Sequence, residues 1–200
     1  MSQQKDKTKI GLYFGSFNPI HIGHLIIANS IIANTDIKQV WFVVSPHNPL
    51  KDRKTLLADH HRLQMVRIAI DDNYNLRACD EEFHLPKPSY TSLTLTHLSE
   101  KYPNKEFCLI MGSDNLCNFD KWRNYEYILN NYKIYVYPRP DYTEKKFEKH
   151  PNVTMIPLPM MDISSSYIRT CIQNNRSIKY LVSDVVAKYI EEMNFYKSRE

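Results

Sequence analysis

Two histidines three residues apart, His21 and His24, carry the clearest chemical signal. They stand in Phe14-Gly15-Ser16-Phe17-Asn18-Pro19-Ile20-His21-Ile22-Gly23-His24-Leu25. On a first helical turn, residues at that spacing share one side. A helix start offers unpaired N–H groups and the positive end of the helix dipole, which favour an anion. Imidazoles placed there can donate hydrogen bonds where negative charge develops on a phosphate chain. Gly15 allows the backbone to turn close to a ligand. Two other readings compete. One histidine could be core and the other surface, or the two could be a metal pair. No carboxylate or cysteine lies nearby in the sequence to complete a metal's ligand set. The setting, a buried strand, a Gly-Ser-Phe-Asn-Pro loop and then an apolar helix, favours phosphate handling.

Four further segments hold groups suited to a phosphate-bearing ligand. In Ser45-Pro46-His47-Asn48-Pro49-Leu50-Lys51 the lysine can reach a phosphate as a point charge, or it is one solvated member of a Lys-Asp-Arg-Lys run. In Pro88-Ser89-Tyr90-Thr91-Ser92-Leu93, Ser89 or Thr91 can cap a helix, and the same helix start can receive an anion. Gly112-Ser113-Asp114, with Trp122 downstream, pairs a close-approach glycine with an acid able to accept from ribose hydroxyls. Trp122 offers a flat ring for stacking, against the plainer reading of helix packing. Last, Asp162-Ile163-Ser164-Ser165-Ser166-Tyr167-Ile168-Arg169 sets Ser165 and Arg169 on one helical face. Hydroxyls, helix N–H groups and a guanidinium make a phosphate cradle; the alternative is an N-cap serine with a surface arginine.

Alternating elements must position these groups. Apolar runs predict strands at 9–14, 39–44, 75–79, 106–111, 133–137 and 153–156. Apolar spacing predicts helices at 24–33, 59–70, 92–101, 122–129, 165–173 and 182–194. Continuous apolar strands joined by helices imply a parallel sheet covered on both faces. Ligands then sit beyond the carboxyl ends of the strands, after Phe14, Val44, Met111 and Ile156. Residues 138–151 read as a surface excursion within one domain spanning 1–200.

Composition narrows the class. Hydrophobic residues make up 42% and charged residues 24% of 200 residues, the profile of a folded soluble domain. A net charge of +4, with mixed basic runs, argues against a nucleic-acid stripe and suits a small phosphorylated ligand. The four cysteines form no C-x-x-C pair, so reduced thiols in a cytoplasmic protein are expected. The polar N-terminal segment carries no apolar stretch, and neither a signal peptide nor a membrane span is expected. Glycine occurs only four times, and three of those positions flank strand-to-helix junctions, where close approach or a positive φ is needed.

The first segment resembles the G-[ST]-F-[DN]-P-x-H-x-G-H signature of the nucleotidyltransferase superfamily with a Rossmann-like fold. From about Lys9 to Arg169 the chain is similar to one branch, the bacterial nicotinate-mononucleotide adenylyltransferases. Phe14 stands where that signature usually has a first glycine. Leu50 precedes Lys51 where a proline-rich element usually has histidine, and Ser166 replaces a usual threonine. The resemblance implies a doubly wound α/β sheet of the adenylyltransferase type. It implies that ATP and nicotinate mononucleotide give nicotinate adenine dinucleotide and pyrophosphate, with Mg²⁺ carried mainly by the ATP phosphates and no protein metal ligand. His21, His24 and Arg169 are then the candidate catalytic residues. Gly15, Ser16, Phe17, Gly112, Asp114, Ser165 and Ser166 join them around ATP. Asn18, Lys51, Tyr90, Thr91 and Trp122 face the acceptor, with Trp122 under its pyridine ring. Partners are the two nucleotides, without nucleic acid or membrane, and a homo-oligomer is left open. Rival readings are the same chemistry on another acceptor, such as nicotinamide mononucleotide or a cytidylyl substrate, and a nucleotide-binding module without turnover.

Overall fold

The computed structural model describes residues 7–46, 56–140 and 146–197. Six strands form one all-parallel sheet. They are β1 (Thr8–Gly15), β2 (Gln39–Val44), β3 (Leu76–Cys79), β4 (Lys105–Gly112), β5 (Ile134–Tyr137) and β6 (Val153–Met155), in the order β3-β2-β1-β4-β5-β6. This is the doubly wound α/β arrangement expected from the strand–helix alternation. The chain reverses direction across the sheet between β1 and β4, and a crevice opens where their carboxyl ends diverge.

Period-2 alternation sends each strand's side chains to two separate cores. Tyr13, Val40, Phe42, Val44, Cys108, Ile110, Tyr135 and Tyr137 face one side. There they meet α1 (Ile22–Asn34), α2 (Asp59–Ala69), α6 (Ser165–Gln173) and α7 (Asp184–Glu192). Ile10, Leu12, Trp41, Val43, Leu109, Met111, Ile134 and Val136 face the other side. They are covered by α3 (Thr91–Lys101), α4 (Ser113–Cys117) and α5 (Tyr125–Asn131). Burying each large apolar side chain contributes about 1.5–3 kcal/mol, so both faces hold β1 at the centre. The register sets Leu12 beside Trp41 and Leu109, and Tyr13 beside Phe42 and Ile110.

One expected element is corrected. The helix read over 122–129 starts later, at Tyr125. Phe119–Lys121 forms a single 3-10 turn, Trp122 is extended, and Asn124 adopts a left-handed conformation (φ 57°) as the cap of α5. A short helix not anticipated from the sequence, α4, follows β4 directly. Other ends shift by about one or two residues, as element ends commonly do. No glycine has a positive φ, so these glycines serve close approach. All four cysteines are unpaired. Among the described residues no helix is long and apolar enough to cross a membrane.

Candidate active site

A cavity of about 820 Å³ lies at the carboxyl ends of β1, β2, β4 and β5. Of the residues singled out in the sequence, Gly15, Ser16, Phe17, Asn18, His21, His24, Tyr90, Thr91, Asp114, Trp122, Ser165, Ser166 and Arg169 all line it. Gly112 does not; it acts from behind, because a Cβ there would lie 2.2 Å from Asp114 Oδ1. Lys51 lies outside the described residues.

The floor is built by the β1–α1 loop. Phe17 takes a left-handed backbone (φ 45°) and turns its ring back under the loop. A Cβ on Gly15 would strike that ring at 2.8 Å, so glycine there makes room for Phe17. His21 caps α1, and its own N–H donates to His24 Nδ1 at 3.2 Å. The two imidazoles stack, with centroids 3.6 Å apart and planes 26° apart. Phe17 meets the His24 ring edge-on at 5.1 Å and Tyr13 meets it at 5.9 Å. His21 is buried, and that burial, followed by the charge of Arg139, pushes its pKa down to about 4. At neutral pH that leaves an uncharged imidazole, whose ring N–H can still donate.

The far end of the chain closes this wall. Ser165 Oγ donates to the Pro19 carbonyl at 2.9 Å, and Arg169 Nη1 donates to the Asn18 carbonyl at 2.8 Å. Both face the β1–α1 loop, as their four-residue spacing requires. Arg169 Nη2 also donates to Ser166 Oγ at 3.1 Å. The cap of α6 is Ser164, whose Oγ accepts from the Tyr167 N–H at 3.2 Å. Asn18 is buried, and its Oδ1 accepts from the Leu57 N–H at 3.3 Å and the Tyr196 hydroxyl at 2.8 Å. Its side-chain oxygen therefore serves the fold.

The opposite wall is the start of α3. Neither Ser89 nor Thr91 caps it. Tyr90 occupies the cap position with no side-chain cap hydrogen bond, while Ser89 Oγ donates to Glu82 Oε2 at 3.2 Å. The first-turn N–H groups thus keep the anion-receptive character of an uncapped helix start. Trp122, half-buried on its turn, lines the same wall and meets Phe119 edge-on at 5.4 Å.

Several lining residues were missed in the sequence. Arg139 follows β5; its N–H donates to Ser113 Oγ at 2.9 Å, and its guanidinium lies 5.5 Å from the Tyr137 ring centre. Its Nε is 3.9 Å from Asp114 Oδ1. The strand-end rule, applied after Tyr137 as well, finds it. Tyr13 and Tyr137 join hydroxyls at 3.1 Å, and burial holds the Tyr13 phenol well above its ordinary range. Glu82 is buried at the cavity edge. Arg62 is fully buried behind the site. It donates to the carbonyls of Ser16 (2.6 Å), Ser45 (2.8 Å), Pro46 (3.0 Å) and Leu57 (2.9 Å) and to Asp59 Oδ1 (2.6 Å).

A second, more open cavity of about 630 Å³ lies outside Tyr90, between α3 and α5. None of His21, His24 and Arg169 reaches it; all three line the larger crevice. Among the described residues no group of three or more His, Cys, Asp or Glu is placed to hold a metal ion.

A model of the cytidylyltransferase-like family matches residues 12–171. A Flavobacterium johnsoniae protein named "Probable nicotinate-nucleotide adenylyltransferase" is 54% identical over 94% of this chain and 99% of its own. A Cytophaga hutchinsonii protein of the same name is 50% identical over 95% and 99%. The chain belongs to the nicotinate-nucleotide adenylyltransferase family. The fold agrees with that membership. The solved Plasmodium falciparum nicotinic acid mononucleotide adenylyltransferase complexed with NaAD superposes with a TM-score of 0.81 at 25% identity, covering 94% of this chain and 97% of that one.

Proposed function

We propose that this protein transfers the adenylyl group of ATP to nicotinate mononucleotide, giving nicotinate adenine dinucleotide and pyrophosphate. Family membership supports the reaction. The single observation that carries it structurally is that the stacked His21–His24 pair at the start of α1, Ser165 and Arg169 of α6 and the uncapped start of α3 line one cavity. The attacking group is the acceptor's own phosphate oxygen. It forms a bond to the α-phosphorus of ATP as the bond from that phosphorus to the bridging oxygen of the β-phosphate breaks. No protein nucleophile is required, and catalysis is positioning and charge stabilisation.

In this reading His21 and His24 donate to the phosphates and stabilise the transition state. Arg169, with Ser165 and Ser166, holds the leaving pyrophosphate. Gly15, Ser16 and Phe17 shape the floor under ATP, and Asp114, freed by Gly112, accepts from ribose hydroxyls. Tyr90, Thr91 and the N–H groups of α3 receive the acceptor carboxylate, and Trp122 stacks on its pyridine ring. Asn18, expected at the acceptor, instead spends its side-chain oxygen on Leu57 and Tyr196 and shapes the β1–α1 loop. Mg²⁺ arrives on the ATP phosphates as part of the substrate. The chain works as one domain in a cytoplasmic setting, where its thiols stay reduced.

The test is pyrophosphate release from ATP with and without the acceptor. Release that depends on nicotinate mononucleotide is expected. Tight ATP binding with no release on any acceptor would identify a binding module instead.

A further inference from the structure

Glu82 is a buried carboxylate that the reaction above does not use. It sits in the single 3-10 turn Glu81–Phe83 after β3, is only 2% exposed, and touches the acceptor side of the cavity. Three hydroxyls from two stretches of chain converge on it. Thr94 of α3 donates to Oε1 at 2.8 Å, and Ser89, just before α3, donates to Oε2 at 3.2 Å. Ser45, at the end of β2, is the third. Ser45 is itself fixed from two further sides. Its N–H donates to the Gly15 carbonyl at 2.9 Å, and its carbonyl accepts from Arg62 at 2.8 Å. A buried carboxylate held by hydroxyls is costly to displace. A continuous polar path therefore runs from the floor under His24 to the start of α3.

The neighbouring residue supplies a contrast. Glu81 also fastens the turn to α3, by Lys101 at 2.6 Å and His97 at 3.3 Å, but toward the far end of that helix. It does not line the cavity. The same turn thus clamps α3 twice, once at its ligand-facing start and once away from it.

We infer that Glu82 is a positioning residue for the acceptor. Its carboxylate fixes the 89–94 segment against β2, so that the N–H groups of Thr91 and Ser92 meet the acceptor at the distance the transfer requires. The inference rests on the proposed placement of the acceptor at α3.

The experiment compares purified wild type, Glu82→Gln, Thr94→Val and Glu81→Gln. The full chain is used, with separate titrations of ATP and nicotinate mononucleotide. Glu82→Gln keeps the shape but loses the acceptor geometry for three donors, and it is expected to raise the acceptor KM about tenfold while the ATP KM stays within about twofold. Thr94→Val removes one donor away from the cavity, and a rise of about threefold in acceptor KM alone is expected. Glu81→Gln breaks the other clamp and should leave both KM values unchanged. An acceptor KM unchanged in both Glu82→Gln and Thr94→Val overturns the assignment. So does a rise in both KM values together, or the same acceptor effect from Glu81→Gln. If Glu82→Gln fails to fold, Thr94→Val and Glu81→Gln decide alone. A wild type that turns over no pyridine mononucleotide overturns the proposed acceptor and this assignment together, whereas an active wild type with indifferent variants overturns only this one.

Discussion

The two walls of the cavity are built by different means. The wall formed by α1 and α6 is fixed by side chains bonded to main chain across long stretches of sequence. Arg169 and Ser165 hold Asn18 and Pro19, and Arg62 holds Ser16. Its imidazoles are stacked and His21 is buried, so it arrives preorganised for charge. The wall formed by α3 and Trp122 offers an uncapped helix start and an aromatic face on a short turn. It is oriented through hydroxyls gathered on Glu82. The first wall suits chemistry common to a superfamily; the second suits recognition of one acceptor. Rate should therefore depend on the first wall, and choice of acceptor on the second.

The largest effect should come from removing what joins them. Arg62→Ala leaves four carbonyls and Asp59 without their shared donor. We expect a loss of about 3–5 kcal/mol in denaturant unfolding, with both KM values raised in whatever folded enzyme remains. Next, His24→Ala should lower kcat on the order of 10²–10³-fold, about 3–4 kcal/mol in the barrier, with a melting temperature close to wild type. An equal loss from Trp122→Ala would break the division of labour.

A third expectation concerns pH. His21 has a folded pKa lowered from 6.5 to about 4. Between those values the unfolded chain binds more protons, so the stability this group contributes is full above about 6.5 and is lost as pH falls toward 4. The loss should reach about 3 kcal/mol, and chemical denaturation across that range should show it, flattened in His21→Gln. The smallest effect is Trp122→Ala, which should raise the acceptor KM roughly fivefold to tenfold, about 1 kcal/mol, and leave the ATP KM unchanged.

Much of this was legible in the sequence, for identifiable reasons. Strand apolarity and the His-x-Gly-His spacing are local, and local patterns survive into the fold. Alternation alone gave the two-faced parallel sheet. The start of α5 was misread because Phe119, Trp122 and Tyr125 recur every third residue, as on a helix, whereas Asn124 turns left-handed and breaks the run. Arg62 and Glu82 were invisible for a different reason. A charge in a polar stretch looks solvated until the fold brings its partners together, and the partners of Arg62 lie up to 46 residues away. Gly15 was read as room for a ligand and is room for Phe17. Arg139 escaped because the end of β5 was not searched.

In the proposed function the α3 wall selects a carboxylated pyridine nucleotide for adenylyl transfer. The direct test is competition: ATP, nicotinate mononucleotide and nicotinamide mononucleotide at equal concentrations with purified protein, and the ratio of the two dinucleotide products read early in the reaction. A ratio strongly favouring nicotinate adenine dinucleotide is expected. A product pool dominated by the amide dinucleotide, or no dinucleotide at all, would contradict it.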